Sequence, residues 1–483
     1  MAALSLLDKG RAVAPPNYNR WLVPPAALAI HLSIGEVYAF SVFKIPLTHA
    51  IGITYQSPAD WKQPTIGWIF SIAIAFLGLS TALFGGWLER VGPRKVMFAA
   101  ACCFGAGFLI GAAGVHWHQI WLLYLGYGVI GGIGLGLGYI SPVATLVRWF
   151  PDRPGLATGL AIMGFGGGAV IGGPLERFLM SVFSGPNSVG VTGAMIVMGL
   201  LYFAFMMFGV FTIRTPPPGW RPEGWVPKQQ AAGGMITSRT VAWRDALKTP
   251  QFYLLWLVLC LNTTAGIGII EQASPMIQDM FKGKWSAASY AAAAGTGFVG
   301  LLSLFNMGGR FFWSAISDYV GRKSTYFCFF VLGVILYALV PFTGLQKWNS
   351  IALFVIFCGV LISMYGGGFA TMPAYVRDLF GARDLSQIYG RILTAWSVAG
   401  IAGPALVNYI RKSQVDRGVP VTNAYSTVLY LMSGLLFLGL ICNALIRPVS
   451  ESAYTAEAAP AGPAPDTLNR ANVPSTPPTQ AKL

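Results

Sequence analysis

The chain has 483 residues, of which 55% are hydrophobic and 10% charged, with a formal net charge of +15. A soluble globular chain is roughly a quarter charged, so this composition excludes a water-soluble enzyme or binding module and indicates an all-α membrane protein.

Runs of roughly 20 mainly apolar residues, the length a helix needs to cross a bilayer, recur from Trp21 to Arg447. They predict twelve transmembrane helices over 21–46, 64–87, 96–115, 120–147, 155–183, 189–213, 251–276, 291–317, 324–344, 350–376, 386–410 and 425–447. Residues 1–20 are polar and mixed, without the pattern of a removable signal peptide, and are expected to be a cytoplasmic tail. The stretch 214–250, opening with Thr215-Pro216-Pro217-Pro218-Gly219, is expected to be a cytoplasmic loop between a half at 21–213 and a half at 251–447. Residues 448–483, rich in Ala, Pro and Thr, are expected to be a disordered cytoplasmic tail. With both termini inside, roughly two-thirds of the 32 Lys and Arg residues fall on the cytoplasmic side, as the positive-inside rule requires. The positive balance is thus an orientation signal in a lipid bilayer and gives no reason to expect a nucleic-acid partner. All six cysteines fall in apolar spans, with no disulfide framework or metal-ligand spacing. The glycine series Gly126 to Gly138 suits close helix packing, and no phosphate-binding loop of the ATPase type is present.

The halves repeat at an offset of about 230 residues, which predicts parallel repeats. Glu89-Arg90-Val91-Gly92-Pro93-Arg94-Lys95 follows the second span and Asp318-Tyr319-Val320-Gly321-Arg322-Lys323 follows the eighth. Pro142, Phe150 and Pro174 pair with Pro373, Phe380 and Pro404. This doubled loop resembles the signature of the major facilitator superfamily, which implies a fold of twelve helices in two six-helix pseudo-symmetric halves. An acid at a helix end beside arginines in a glycine turn can form a charge-assisted latch, so Glu89, Arg90, Arg94, Asp318 and Arg322 are candidates for one; fixing topology is the alternative role.

Within that superfamily the chain resembles the oxalate:formate antiporter family, bacterial relatives of monocarboxylate transporters. The resemblance rests on Gly35-Glu36-Val37-Tyr38-Ala39-Phe40, Arg148-Trp149-Phe150-Pro151-Asp152-Arg153-Pro154-Gly155, Gly308-Gly309-Arg310-Phe311-Phe312-Trp313 and Tyr365-Gly366-Gly367-Gly368-Phe369. It implies a multi-pass protein of a bacterial-type inner membrane, acting as a monomer.

Arg310 lies about eight residues, roughly 12 Å, from Asp318 at the helix end, near the middle of an apolar core about 30 Å thick. A charge there is costly without a partner, and a guanidinium holds a carboxylate through two parallel hydrogen bonds. Asn306 shares its face. In the resembled family the matching arginine binds the substrate carboxylate. The oxalate exchanger has a lysine where this chain has Trp396, so a single cavity cation favours a monocarboxylate over oxalate. Arg391 sits near the cytoplasmic end of its helix, about 140° round from Trp396, as a gate or headgroup contact. The resemblance places Tyr38 in the cavity, and His31, seven residues earlier, shares its face. His31 could carry a proton, bond substrate, or bond a backbone carbonyl. Glu36 and Glu271 are the other proton-carrier candidates. Tyr139, Tyr365 and Phe369 form the expected aromatic walls, with Asn262 a weaker candidate. The expected function is alternating-access transport of a small monocarboxylate such as lactate, pyruvate or formate, coupled to protons or a counter-anion, with no cofactor, metal or catalytic group. A dicarboxylate antiporter of the oxalate/formate type and a nontransporting sensor of organic acids are the alternatives.

Overall fold

Two glycines set the turns of the doubled loop motif. Gly92 has φ 86° and Gly321 φ 92°, backbone that glycine adopts without a Cβ penalty. Each ends one helix and opens the next within a single residue. The computed structural model describes residues 6–226, 235–237, 239–281, 297–344, 348 and 350–454.

Twelve helical spans follow in chain order. α1 is a bent pair, Arg20–Tyr38 and Ser41–Leu47, with 41° between its parts. α2 runs Gln63–Val91, α3 Pro93–His116, α4 Ile120–Trp149, α5 Pro154–Phe183 and α6 Val191–Thr212. α7 runs Pro250–Met280, α8 Phe298–Val320, α9 Arg322–Thr343, α10 Ile351–Phe380, α11 Leu385–Asp416 and α12 Ser426–Leu445. Among the described residues, ten spans are long and apolar enough to cross a membrane, and bent α1 makes eleven. The twelfth is α8, 23 residues long and interrupted by Asn306 and Arg310. Its expected start at 291 lies outside the described residues, as do most of the tail expected at 448–483 and part of the 214–250 loop. α10 and α11 run further than the hydropathy pattern predicts, because their ends continue as polar helix beyond the apolar stretch.

The packing repeats with the sequence. α1 lies on α5, α2 on α4 and α3 on α6; correspondingly α7 lies on α11, α8 on α10 and α9 on α12. The halves meet along two equivalent seams, α5 with α8 and α2 with α11. Small residues allow this approach. A Cβ built on Gly155 would sit 2.2 Å from the Ser314 carbonyl oxygen, and one on Gly78 would sit 2.1 Å from Ser397 Oγ.

Two helices depart from regular α geometry. α1 unwinds into a 3-10 turn over Gly35–Tyr38, where it touches α5: a Cβ on Gly35 would lie 2.4 Å from the Phe165 carbonyl oxygen. α4 contains a π-helical stretch, Tyr124–Gly131, of the kind that often marks a functional position.

The end of the bundle that carries the α2–α3 and α8–α9 turns is the basic end. There Asp152 accepts two hydrogen bonds from Arg20, at 2.6 and 2.9 Å. Arg20 also lies over the Phe150 ring, 4.5 Å from its centroid, and Trp149 Nε1 donates to the Arg214 carbonyl at 2.8 Å. The Arg148-Trp149-Phe150-Pro151-Asp152 block therefore acts as a clamp that ties the N-terminal strap and the start of the central loop to α4.

Candidate functional site

α8 delivers Arg310 to the centre of the molecule between the two halves, with no solvent exposure. Its aliphatic stem threads between glycines of both halves: a Cβ on Gly166 of α5 would lie 3.0 Å from Arg310 Cδ, and one on Gly366 of α10 would lie 3.0 Å from Cγ. Asn306, one turn earlier on α8, accepts a hydrogen bond from Nε at 3.0 Å. The guanidinium then lies between two aromatic faces, Phe165 and Phe369, each 5.4 Å from centroid to Cζ. Both terminal nitrogens, Nη1 and Nη2, make no hydrogen bond of normal geometry among the described residues, although the Tyr38 and Tyr139 hydroxyls stand within reach of the guanidinium. Two cation–π contacts offset part of the desolvation of a buried cation, but they leave the two donors best suited to a carboxylate unmatched.

The walls close around this group. Trp396 of α11 packs at a tilt against Phe369 at 4.1 Å and edge-on to Phe165 at 5.3 Å and Tyr139 at 5.4 Å. Its Nε1, also buried, has no acceptor among the described residues. Tyr38 of α1 and Tyr365 of α10 join hydroxyls at 2.7 Å across the halves and seal the chamber above Phe165 and Phe369, whose rings they contact edge-on. On the other side, the Tyr139 and Tyr389 hydroxyls meet at 3.5 Å and the Tyr326 hydroxyl donates to the Gly368 carbonyl at 2.6 Å. Arg310, Asn306, Tyr38, Tyr139, Tyr365, Phe369 and Trp396 thus come together. Asn262 stands behind α10 against Gly368, its Nδ2 without a hydrogen-bond partner among the described residues, beside a small cavity that it lines with Gly266, Tyr337 and Tyr365.

His31 is fully buried behind Tyr139, their rings 5.3 Å apart. Its Nδ1 meets the Ala161 carbonyl and its Nε2 meets the Tyr139 carbonyl at 3.1 Å, so it braces α1 to α5 and α4. Glu36 turns away from the chamber and takes a hydrogen bond from the Tyr127 hydroxyl at 3.1 Å. The side chain of Glu271 lies outside the described residues. Arg391 is remote from Arg310's chamber: it packs over Trp243 of the central loop, 4.0 Å from the ring centroid, and donates to the Gln387 carbonyl.

The latch residues divide by copy. Asp318, at the end of α8, accepts from the backbone N–H groups of Gly155 and Leu156 at 2.9 and 2.8 Å. That places a carboxylate on the N-terminus of α5, across the seam, where backbone donors and helix dipole favour an anion. Arg322 holds Asp318 at 2.6 Å and Asp378 of α10 at 3.1 Å. At the equivalent seam Glu89 ends α2 against Ser386 and Gln387 at the start of α11. Arg94 instead stays within its own half, donating to the carbonyls of Leu6, Phe211 and Ile213, and Arg90 is exposed. Further hydrogen bonds reinforce the closure toward the basic end. Thr158 donates to the Ala370 carbonyl at 2.6 Å, Thr81 to the Gly390 carbonyl at 3.0 Å and Ser397 to the Ala75 carbonyl at 2.8 Å.

Sequence reasoning passes over Phe165, Asp378 and Glu176. The signal for Phe165 is its place in Gly164-Phe165-Gly166-Gly167-Gly168, an aromatic in a glycine run like that of Tyr365 to Phe369. Glu176 carries the signal that marks Arg310, an ionisable residue inside an apolar span.

A family model described as Major Facilitator Superfamily matches residues 26–364 and 298–468. The chain is 26% identical over 392 residues to the oxalate:formate antiporter of Oxalobacter formigenes, covering 80% of this chain and 84% of that one. It is 24% identical over 394 residues to the uncharacterized MFS-type transporter YhjX of Escherichia coli K12, covering 80% and 88%, and 24% identical to human monocarboxylate transporter 11 over 86% and 80%. Among solved structures, the human organic anion transporter MFSD10 superposes with a TM-score of 0.62 at 14% identity, covering 89% of this chain and 100% of that one.

Proposed function

The chain belongs to the major facilitator superfamily of membrane transporters, and from that premise we propose that it is a secondary active carrier of small monocarboxylates, of the lactate, pyruvate or formate kind. The observation that carries the reading is the buried guanidinium of Arg310, whose two terminal nitrogens make no hydrogen bond of normal geometry among the described residues. A carboxylate bound there in the bidentate manner would satisfy both. The carbon skeleton would lie against Phe165, Phe369 and Trp396, and the hydroxyls of Tyr38 and Tyr139 would orient it. The names of the antiporter and monocarboxylate transporter relatives support an organic anion.

Orientation and cycle follow from the same reading. The basic end faces the cytoplasm of a bacterial-type cell, with both termini inside. An anion that neutralises Arg310 favours the sealed state, because a charged arginine in a dry closed chamber is costly unpaired. The latch at Asp318 and Glu89 then opens as the halves rock to the other side. Protons or a counter-anion supply the driving force, and His31, Glu36 and Glu271 are the groups able to carry a proton.

Oxalate, with two carboxylates, would call for a second cation. Arg391 is engaged with Trp243 and Gln387, and Trp396 offers only an N–H, so the chamber suits a monoanion. Uptake of radiolabelled L-lactate, pyruvate, formate and oxalate into proteoliposomes, with and without an inward proton gradient, tests this. Monocarboxylate uptake with little oxalate is the expected result; oxalate exchange indifferent to the gradient would overturn it.

A further inference from the structure

Glu176 of α5 is fully buried, and neither of its carboxyl oxygens has a hydrogen-bond donor among the described residues. It lies within hydrogen-bonding reach of Glu36, whose own Oε1 also lacks a donor. Only Glu36 Oε2 is served, by the Tyr127 hydroxyl from the π-helical stretch of α4. The pair is built into the fold. Gly172, one turn before Glu176, leaves the space that the Glu36 stem occupies: a Cβ there would lie 3.3 Å from Glu36 Cγ and 3.5 Å from the Tyr202 hydroxyl. The groups facing the pair are Tyr127 of α4 and Tyr202 of α6. Arg177, next to Glu176 on α5, is exposed, and its charge also acts on Glu176.

Two carboxylates side by side in an apolar interior cannot both stay ionised. A proton on one supplies the donor that the other lacks, so the packed arrangement demands at least one proton between them. A cation would need more ligands than two carboxylates, and among the described residues no third His, Cys, Asp or Glu joins the pair. We propose that Glu36 and Glu176 form the proton-binding site of the transport cycle, with one proton shared between them. This rests on the reading of the chain as a proton-coupled carrier and names the residues that do the coupling.

The link to substrate is the 3-10 turn. Gly35–Tyr38 is four residues long and presents Glu36 to α4, α5 and α6 while presenting Tyr38 to Tyr365 and the Arg310 chamber. With the proton in place, Glu36 is held against Glu176 and the turn keeps Tyr38 in its sealing position. Loss of the proton sets two anions against each other, and the turn that carries the seal must move. Proton occupancy and closure over the substrate are thereby joined without the proton entering the substrate chamber.

Glu36→Gln and Glu176→Gln preserve shape and remove the shared proton. In proteoliposomes with L-lactate, a one-unit inward proton gradient should drive about tenfold accumulation by the wild type. In either variant accumulation should fall to equilibration, while lactate counterflow at equal pH persists. Accumulation retained by both variants would overturn the proposal. Because a variant could fail to fold, the wild type also carries a test that needs no transport: its infrared spectrum should contain a protonated carboxyl band that shifts in deuterium oxide and is missing in Glu176→Gln. Absence of that band would overturn the proposal while leaving the Arg310 reading intact. Failure of the wild type to exchange any monocarboxylate would sink the substrate reading instead, and the infrared band would still decide the fate of the pair.

Discussion

At the level of single residues, Arg310 reaches the centre of the molecule because glycines let it in. Gly166 and Gly366 face its stem from opposite halves, so the chamber is shaped by the absence of side chains as much as by their presence. Gly166→Ala would place a methyl group against Cδ and Nε and push the guanidinium aside. We expect apparent substrate affinity in uptake to fall about tenfold, roughly 1.4 kcal/mol, with near wild-type folding by size-exclusion chromatography; unchanged affinity would show that the stem position is not tightly set. Arg310 itself was legible because a charge in an apolar span is rare. Hydropathy is silent on Phe165: its one signal is the glycine run around it, and its part emerges only when the fold places it over a guanidinium. The π-stretch of α4 that aims Tyr127 at Glu36 is equally silent in hydropathy.

At the element scale the two seams do different work at their two ends. The doubled loop was readable as a repeat, and the turns at Gly92 and Gly321 follow from glycine's backbone freedom. Its division of labour was not readable, because Asp318 caps α5, a partner about 160 residues away in sequence. Asp318→Ala removes the acceptor for the Gly155 and Leu156 N–H groups and one of the two acidic partners of Arg322. The seam at the basic end should then open more often. A cysteine placed at Thr158, buried against α10, in a background lacking the six native cysteines, should react with maleimide several-fold faster in that variant; an unchanged rate would remove Asp318 from the latch.

The clamp between Arg20 and Asp152 gives a pH prediction at the same scale. Burial would raise the Asp152 carboxyl, but the hydrogen bonds and charge of Arg20 outweigh it and hold the carboxyl below its ordinary value. A depressed folded value means stability that is present above the unfolded pKa and is lost as pH falls through the folded one. Asp152→Asn should therefore unfold at lower temperature at neutral pH, by about 1 kcal/mol of stability. The gap to wild type should close as the pH falls below about 4. A gap independent of pH would assign the effect to packing.

At the scale of the whole molecule, the six-plus-six order, the seams α5–α8 and α2–α11, and the sealed central chamber describe a bundle closed toward the basic end, which the proposed rocking cycle takes as one of its states. Twelve spans were readable from apolar length, and α8, whose expected start lies outside the described residues, is the one that carries Arg310. Substrate that neutralises Arg310 should stabilise this state. At a hundred times its dissociation constant, L-lactate should add about 2.7 kcal/mol to wild-type stability and nothing to Arg310→Ala, read as unfolding temperature in detergent; an equal rise in both would place binding elsewhere. The most direct test of the central claim is calorimetric titration of purified protein with L-lactate and pyruvate, comparing wild type with Arg310→Lys. Lysine keeps the charge and loses the two-pronged geometry, so the account predicts binding by the wild type and a loss of at least about thirtyfold in the variant, roughly 2 kcal/mol. Equal affinity in both proteins would contradict capture of the carboxylate by Arg310.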